Sequence, residues 1–570
     1  MDDGDAGAEL GWDQFDEELL ADAALRACAP SPEPLATNEQ DDDHALAMEV
    51  ACYAEVPNSY LEAMQSDKAE KWREAIAEEL SNHAKYKSWV LVPRDQASGR
   101  VLTSGWTFNI KLDQGGTQLR YKARLYVRGC HQTATQYTET TAPVTNLITL
   151  RLLLHRAVST NAYVVHIDVK AAYLNAPVSE TLFMRVPDGV EAELDQVCLI
   201  QKSIYGLKQA GANWHQLLTD WLMKEGFVRS ETDPCAFVLK GSVTCYITVY
   251  VDDMILLSED QRIVQDVVER MQKKFTVKVT DLKVYLAQRI TMTSGRVRID
   301  MGAYVKEILR DFGLHHANRT AVPCAKTNES RSGTVERARD ASGYRSVVGQ
   351  LQWLCQTARP DLTFALHLLS RAVSSPTVEN EAGAKKAMRY LVGTVDVGIE
   401  LRGGGELVGF VDSDWATELE GRRSVSGFVI GYLHGDGHLS PIVWRSKRQT
   451  CVASSTCEAE YIACHEIARE VCYLRQLLSE LGVPCHKPTR IFCDNRAAVL
   501  IGNNDTKHVK HARYIDIRFH FARHCQREGR VVFVDIDSKD NLADAFTKAL
   551  PRDRFRRLTS KFTSVREGEC

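Results

Sequence analysis

Cys245-Tyr-Ile-Thr-Val-Tyr-Val-Asp-Asp-Met-Ile-Leu-Leu257 sets two adjacent carboxylates, Asp252 and Asp253, inside an otherwise apolar run. The run reads as strand, tight turn, strand, with both acids at the turn. Ionised carboxylates enter such a run at high free-energy cost unless cations or hydrogen bonds compensate them. A turn that offers carboxylates to divalent metal ions meets that condition, and paired metal ions drive in-line phosphoryl transfer. The alternative is an ordinary hairpin with an acidic turn. Tyr163-Val-Val-His-Ile-Asp168 weighs against it, being another short apolar strand that ends in a carboxylate.

Longer motifs surround these acids in one order. They are Arg120-Tyr-Lys-Ala-Arg-Leu125, Ala142-Pro-Val144, His166-Ile-Asp-Val-Lys-Ala-Ala-Tyr-Leu-Asn175, Ser203-Ile-Tyr-Gly-Leu-Lys-Gln-Ala210, Tyr250–Asp253, Tyr344-Arg-Ser-Val-Val-Gly-Gln-Leu351 and Thr357-Ala-Arg-Pro-Asp-Leu362. With them, the stretch from about Trp72 to Gly398 resembles the reverse transcriptase of copia-type retrotransposons. The C-terminal third resembles the ribonuclease H that follows it in that family. The resemblance implies a multidomain α+β fold: a polymerase right hand of fingers, palm and thumb, then an RNase H-like α/β domain. The expected division is an acidic disordered segment over 1–58, the right hand over 59–325, and a linker and helical connection over 326–402. An RNase H-like domain over 403–550 and a basic tail over 551–570 complete it.

Composition fits this division. The 570 residues suffice for two to four domains. Net charge is −5, yet residues 1–50 hold 15 acids against Arg26 alone, so the rest carries 69 bases against 60 acids. A mildly basic body suits phosphate tracking. No apolar run approaches membrane-spanning length, and the acidic N-terminus has no secretory pattern. The 16 cysteines form no C-x-x-C pair, and Cys451, Cys457, Cys464 and Cys472 read as buried thiols rather than a zinc site.

Periodicity predicts a helix through Ala69–Leu80 and strands at Trp89–Pro93, Gly105–Lys111 and Leu119–Leu125, with a turn at Gly115-Gly116. Leu147–Val158 reads as a helix leading into the Asp168 strand, and Trp214–Lys224 and Asp260–Phe275 as further helices. Residues 282–325 mix short strands with a helix, a plausible thumb; Lys326–Ser342 reads as linker and Gly403-Gly-Gly405 as the best domain boundary.

Beyond that triplet, Leu407–Asp412, Gly427–Tyr432, Pro441–Ser446, Ile491–Asp494 and Arg530–Asp535 read as strands. A helix opens at Ser454-Ser-Thr-Cys-Glu-Ala-Glu460, and Asn541-Leu-Ala-Asp544 is expected to open a last one. The resemblance carries Asp412, Glu460, Asp494 and Asp544 over as one metal cage, with Asp412 preferred to Asp414 and Glu460 to Glu458. Asp168, Asp252 and Asp253 are carried over as the polymerase ligands. Two Mg²⁺ per site are implied, with Mn²⁺ as an alternative. Lys122 and Arg124 are candidate triphosphate clamps, Tyr173 a sugar gate, and Gly206 and Gln209 shape the nucleotide pocket. His508, His511, His520 and His524 sit among basic residues and read as phosphate contacts or a solvated face rather than zinc ligands.

The implied function is RNA-directed DNA synthesis with cleavage of RNA in RNA–DNA hybrids. The partners would be an RNA template, a DNA primer, the hybrid and deoxynucleoside triphosphates, with no membrane. Cytoplasmic particles are the implied location, the nucleus the alternative. The chain departs from the family at Gly211-Ala212, usually Pro-Arg, and at Asp281–Gln288, which is short and lacks two glycines. Thr141 replaces a Phe, and His511 and Tyr514 stand where the family has a basic residue and a histidine. No gag-like knuckle, protease or integrase motif is found, which implies part of a polyprotein or a broken gene copy. The competing reading is a decayed or co-opted fragment that binds nucleic acid without polymerising.

Overall fold

The computed structural model describes residues 56–112, 119–325, 336–415, 422–503 and 520–565. Nearly all of the expected acidic segment, the Gly115-Gly116 turn, residues 326–335 of the linker, and His508, His511 and Tyr514 lie outside them. The described residues form two compact units. One gathers those up to Asn146 with Ala162–Leu282; the other gathers Leu147–Asn161 with those from Lys283 on. Among them, no helix is long and apolar enough to cross a membrane.

The first unit centres on a six-stranded antiparallel sheet. Its order is Val277–Thr280, Tyr163–Val169, Asp253–Ser258, Cys245–Tyr250, Ala236–Leu239 and Val228–Arg229. The apolar runs predicted as strands supply its middle, where both faces need cover. Helices Ala210–Lys224 and Gln261–Lys274 provide apolar faces to the same core. Trp214 and Trp221 each meet Phe275 edge-on at 5.5 Å, a favoured aromatic geometry. Asp260 caps the second helix by accepting from Arg262 N at 2.9 Å. A two-stranded ribbon, Ser104–Leu112 with Leu119–Val127, packs on helix Ala69–Tyr86. Trp72 fills the space between them, 5.1 Å from Phe108 and 4.6 Å from Tyr121.

The second unit holds a five-stranded sheet in the order Leu439–Arg448, Val425–Leu433, Glu406–Asp414, Thr489–Cys493 and Val531–Asp535. The first three strands pair antiparallel and the last two join in parallel. Helix Thr456–Glu480 packs on it so closely that a Cβ at Gly409 would lie 2.7 Å from Ile467 Cδ1. A second five-stranded sheet runs Val284–Tyr285, Gln288–Thr293, Arg296–Asp300, Val397–Arg402 and Ser564–Val565. Its first turn puts Leu286 at φ 51 and Ala287 at φ 60. Side chains with a Cβ adopt that left-handed region at a penalty, so a stretch lacking glycines pays in strain there. Arg359, from the Thr357–Leu362 motif, is fully buried and paired with Asp361 at 2.8 Å. Its guanidinium also donates to Thr394 O at 3.0 Å and Thr394 Oγ1 at 2.9 Å, while the Tyr390 hydroxyl donates to Asp361 Oδ2 at 2.8 Å.

Four expectations change. Helix Leu147–Thr160 leads into the Tyr163–Val169 strand as expected, yet it groups with this second unit rather than with the rest of the expected right hand. Its polar residues explain why: His155 stacks on Tyr432 at 3.6 Å, while Arg151 lies 4.0 Å from the Trp444 ring and donates to Ile442 O at 2.6 Å. Gly403–Gly405 does not divide compact units, because Gly403 N donates to Gly295 O at 2.9 Å and Gly404 N to Ser159 Oγ at 3.0 Å. The basic tail is ordered through Val565. Arg552–Thr559 is a helix burying Phe555 and Leu558, and Ser564–Val565 pairs with Val397–Gly398. Finally, Asn541–Asp544 opens a short 3₁₀ turn, Leu542–Phe546, in place of the expected last helix.

Candidate active sites

In the first unit, Tyr250 pairs with Asp253, so Val251 and Asp252 make the two-residue turn. Val251 takes φ 54, a strained conformation for a β-branched residue. Two contacts hold it: Trp214 Nε1 donates to Val251 O at 2.6 Å, and Val169 N to Asp252 O at 2.9 Å. Asp168 lies directly across from Asp253 in the sheet register. His166 Nε2 lies 2.9 Å from Asp253 Oδ1 and orients it. Burial, then the charge of Asp253, raises both Asp168 and Asp252, the latter to about 6.

Lys122 and Arg124 alternate on one strand and so share a face, opposite the buried Tyr121, Ala123 and Leu125. Burial and then Arg124 lower the Lys122 ammonium, while Glu79 and Asp252 oppose that. The Arg124 guanidinium sits 3.9 Å from the Tyr205 ring, whose centroid is 4.7 Å from that of Tyr173. Burial and Asp252 raise the Tyr173 hydroxyl to about 12. These electrostatic couplings tie Lys122, Arg124 and Tyr173 to the hairpin acids.

Gly206 and Gln209 have jobs within the protein. Gly206 takes φ 85, and a Cβ there would meet Val127 O at 2.1 Å, so the close approach it permits is to backbone of the Leu119–Val127 strand. Gln209 is buried, donates to Gln136 O at 3.1 Å and Glu180 Oε2 at 3.3 Å, and accepts from Gln132 Nε2 at 3.0 Å. Its amide is thus spent on neighbouring segments. Gly211 also has a packing reason, since a Cβ there would lie 2.8 Å from Ala142 Cβ.

The second unit assembles its acids from four elements. Val411 pairs with Cys493 across parallel strands, so the next residues, Asp412 and Asp494, come side by side, Asp412 still paired with Gly427 within its strand and Asp494 just past the end of its own. Ser455 caps helix Thr456–Glu480, whose early turns carry Glu460 inward. Glu458 instead turns back, its Oε2 accepting from Ser454 N at 2.7 Å. Asp544 comes from the 3₁₀ turn, pinned where Asn541 Nδ2 donates to Val411 O at 2.9 Å. Gly427 makes room for that turn, as a Cβ would lie 2.8 Å from Phe546 Cβ.

Asp412, Asp494 and Asp544 each bring an oxygen within 4.8 Å of the others, and Glu460 does so with Asp494 and Cys493. Asp168, Asp252 and Asp253 make no such three-way cluster among the described residues. Burial raises Asp412, Asp494 and Glu460, with neighbouring acids adding to the rise. Sequence reasoning gave Thr547 and Lys548 no role of their own and read Arg554 as part of the basic tail, yet all three touch these acids. Thr547 Oγ1 donates to Asp412 Oδ2, Lys548 Nζ lies 2.7 Å from Asp544 Oδ1, and Arg554 pairs with Asp544 Oδ2. Their only sequence signal was proximity to Asp544. Buried oxygen donors in net excess over cations suit a hard divalent ion.

Residues 86–326, a stretch that contains the hairpin acids, match the family described as "Reverse transcriptase (RNA-dependent DNA polymerase)". The chain is similar to Pol polyproteins of copia-type transposons. It is 32% identical over 530 residues to the retrovirus-related Pol polyprotein from transposon RE2 of Arabidopsis thaliana, covering 92% of this chain and 36% of that protein. It is 29% identical over 514 residues to that from transposon TNT 1-94 of Nicotiana tabacum, covering 88% of this chain and 38% of that protein. The chain thus spans little more than a third of the length of these relatives. A solved foamy viral protease-reverse transcriptase in complex with double-stranded DNA aligns with a TM-score of 0.42 at 10% identity, covering 94% of this chain and 84% of that chain. That likeness is too distant to bear on the fold.

Proposed function

We propose that the chain copies RNA into DNA at the hairpin acids and cleaves the RNA strand of RNA–DNA hybrids at the four-acid cluster. The observation that carries the polymerase reading is the register that sets Asp168 opposite Asp253, within the stretch that matches the reverse transcriptase family. The six-stranded sheet would be the palm, the Ser104–Val127 ribbon part of the fingers, and the sheet around Asp412 the RNase H-like core. Asp168, Asp252 and Asp253 would hold Mg²⁺ at one site, and Asp412, Glu460, Asp494 and Asp544 at the other. Magnesium bound there supplies an activated attacking oxygen and a neutralised leaving oxygen.

The protein's own groups then position the reactants. Trp214 fixes the turn that presents Asp252, and His166 holds Asp253 at one rotamer. Lys122 faces the triphosphate as a cation, and Arg124, backed by Tyr205, offers a planar fork to phosphate. Tyr173 stands beside Tyr205 to exclude a 2′-hydroxyl from the incoming sugar. Contacts to template are to shape and backbone, since every sequence must be accepted.

A second reading, ribonuclease activity without polymerisation, draws on the tight three-carboxylate clustering, which among the described residues lies in the second unit alone. Extension of a DNA primer on an RNA template, assayed with RNA-strand cleavage of a hybrid, separates the two. Cleavage without extension favours the second reading. Loss of both in folded protein leaves a nucleic-acid-binding fragment.

A further inference from the structure

The acids of the second unit carry an internal cation that the ribonuclease reading does not use. Lys548 Nζ lies 2.7 Å from Asp544 Oδ1 and 3.2 Å from Asp412 Oδ2, and so bridges two of the three aspartates close enough to share one ion. Asp544 is wholly buried and Asp412 almost so, which makes their repulsion strong if nothing intervenes. Arg554 answers Asp544 alone and also donates to Ser538 O at 3.0 Å, so it cannot replace the bridge. The Lys548 side chain keeps 32% of its surface exposed, which gives the ammonium a path to solvent.

We propose that Lys548 is a resident counter-ion that holds Asp412 and Asp544 together in the metal-free cluster and yields its place to a divalent cation. The inference rests on the ribonuclease reading of this site. A fixed ammonium between two ligands opposes the entry of a dication, because like charges a few ångströms apart repel. The same ammonium relieves repulsion among the empty carboxylates. Removing it therefore weakens the metal-free protein and strengthens metal binding, whereas loss of a merely structural contact weakens both. Lys548 acts through the acids and is a positioning residue.

The test is Mn²⁺ titration of the whole chain, with free Mn²⁺ read by electron paramagnetic resonance. An Asp252→Asn/Asp253→Asn background silences the hairpin acids, and Asp494→Asn identifies the ions bound at the cluster. Lys548→Gln and Lys548→Met are each expected to bind Mn²⁺ on the order of tenfold more tightly, with a lower melting temperature before metal and a larger rise on its addition. Lys548→Arg keeps the charge and should behave like the parent. Unchanged or weaker binding in both neutral variants overturns the inference while leaving the ribonuclease reading in place. If the parent has no Mn²⁺ site that depends on Asp494, that reading falls and takes the counter-ion role with it.

Discussion

The two acidic sites are built by opposite strategies. The hairpin site needs little more than one strand register: Asp168 and Asp253 face each other on adjacent strands, and Asp252 is the next residue along. The cluster draws Asp412, Glu460, Asp494 and Asp544 from a strand, a helix, a strand end and a 3₁₀ turn spread over more than a hundred residues of sequence. The hairpin pays for local geometry with strain at Val251 and relies on Trp214 and Val169 to hold it. The cluster leaves its strands unstrained and depends instead on close packing, through Gly427 and Asn541, and on cations placed against its acids. A site made by register should fail when its turn is released; a site made by convergence should fail when any one element drifts.

Trp214→Ala should have the largest effect on that contrast. It removes a buried ring and the bond to Val251 O, at a loss of about 3–5 kcal/mol, read by urea unfolding. DNA synthesis should fall with it, while hybrid cleavage persists wherever the second unit stays folded. Asn541→Ala is the matching cut in the other site. It frees Val411 O and the Ala543 amide, at about 1–3 kcal/mol, and should lower cleavage without touching extension.

Acidity offers a third way to sharpen the difference. The Asp252 carboxyl is raised to about 6, so between about pH 4 and pH 6 the folded chain holds a proton that the unfolded chain has released. Metal-free stability should therefore fall as pH rises through that window, and Asp252→Asn should flatten the fall in a melting series run with chelator. Smallest is Glu458→Ala. It removes a capping acceptor worth about 1 kcal/mol and should leave cleavage intact, whereas Glu460→Gln abolishes it.

The sequence showed most of what local chemistry decides. Apolar runs ending in an acid picked out Asp168, Asp412 and Asp494 because strand ends are where a buried segment meets a polar site. The turn at Val251–Asp252 was legible for the same reason. Long-range placement was not. Helix Leu147–Thr160 reads locally like any amphipathic segment, and only its buried Arg151 and His155 hinted that a polar partner awaited elsewhere. Gly403–Gly405 looked like a boundary because flexible residues break periodicity, yet Gly403 and Gly405 serve close packing. Arg552–Thr559 looked like a solvated tail since its charges outnumber Phe555 and Leu558, the two residues that anchor it. Lys548 and Arg554 were missed because a cation becomes a site residue only once folding sets an acid beside it.

The most direct test of two separable sites is a crossed assay on the full chain, scoring Mg²⁺-dependent primer extension and hybrid cleavage in Asp252→Asn and Asp494→Asn. Each substitution should lower its own activity by roughly two to three orders of magnitude and leave the other within a few-fold. Loss of both activities from either substitution, in protein that melts like the parent, would contradict the account.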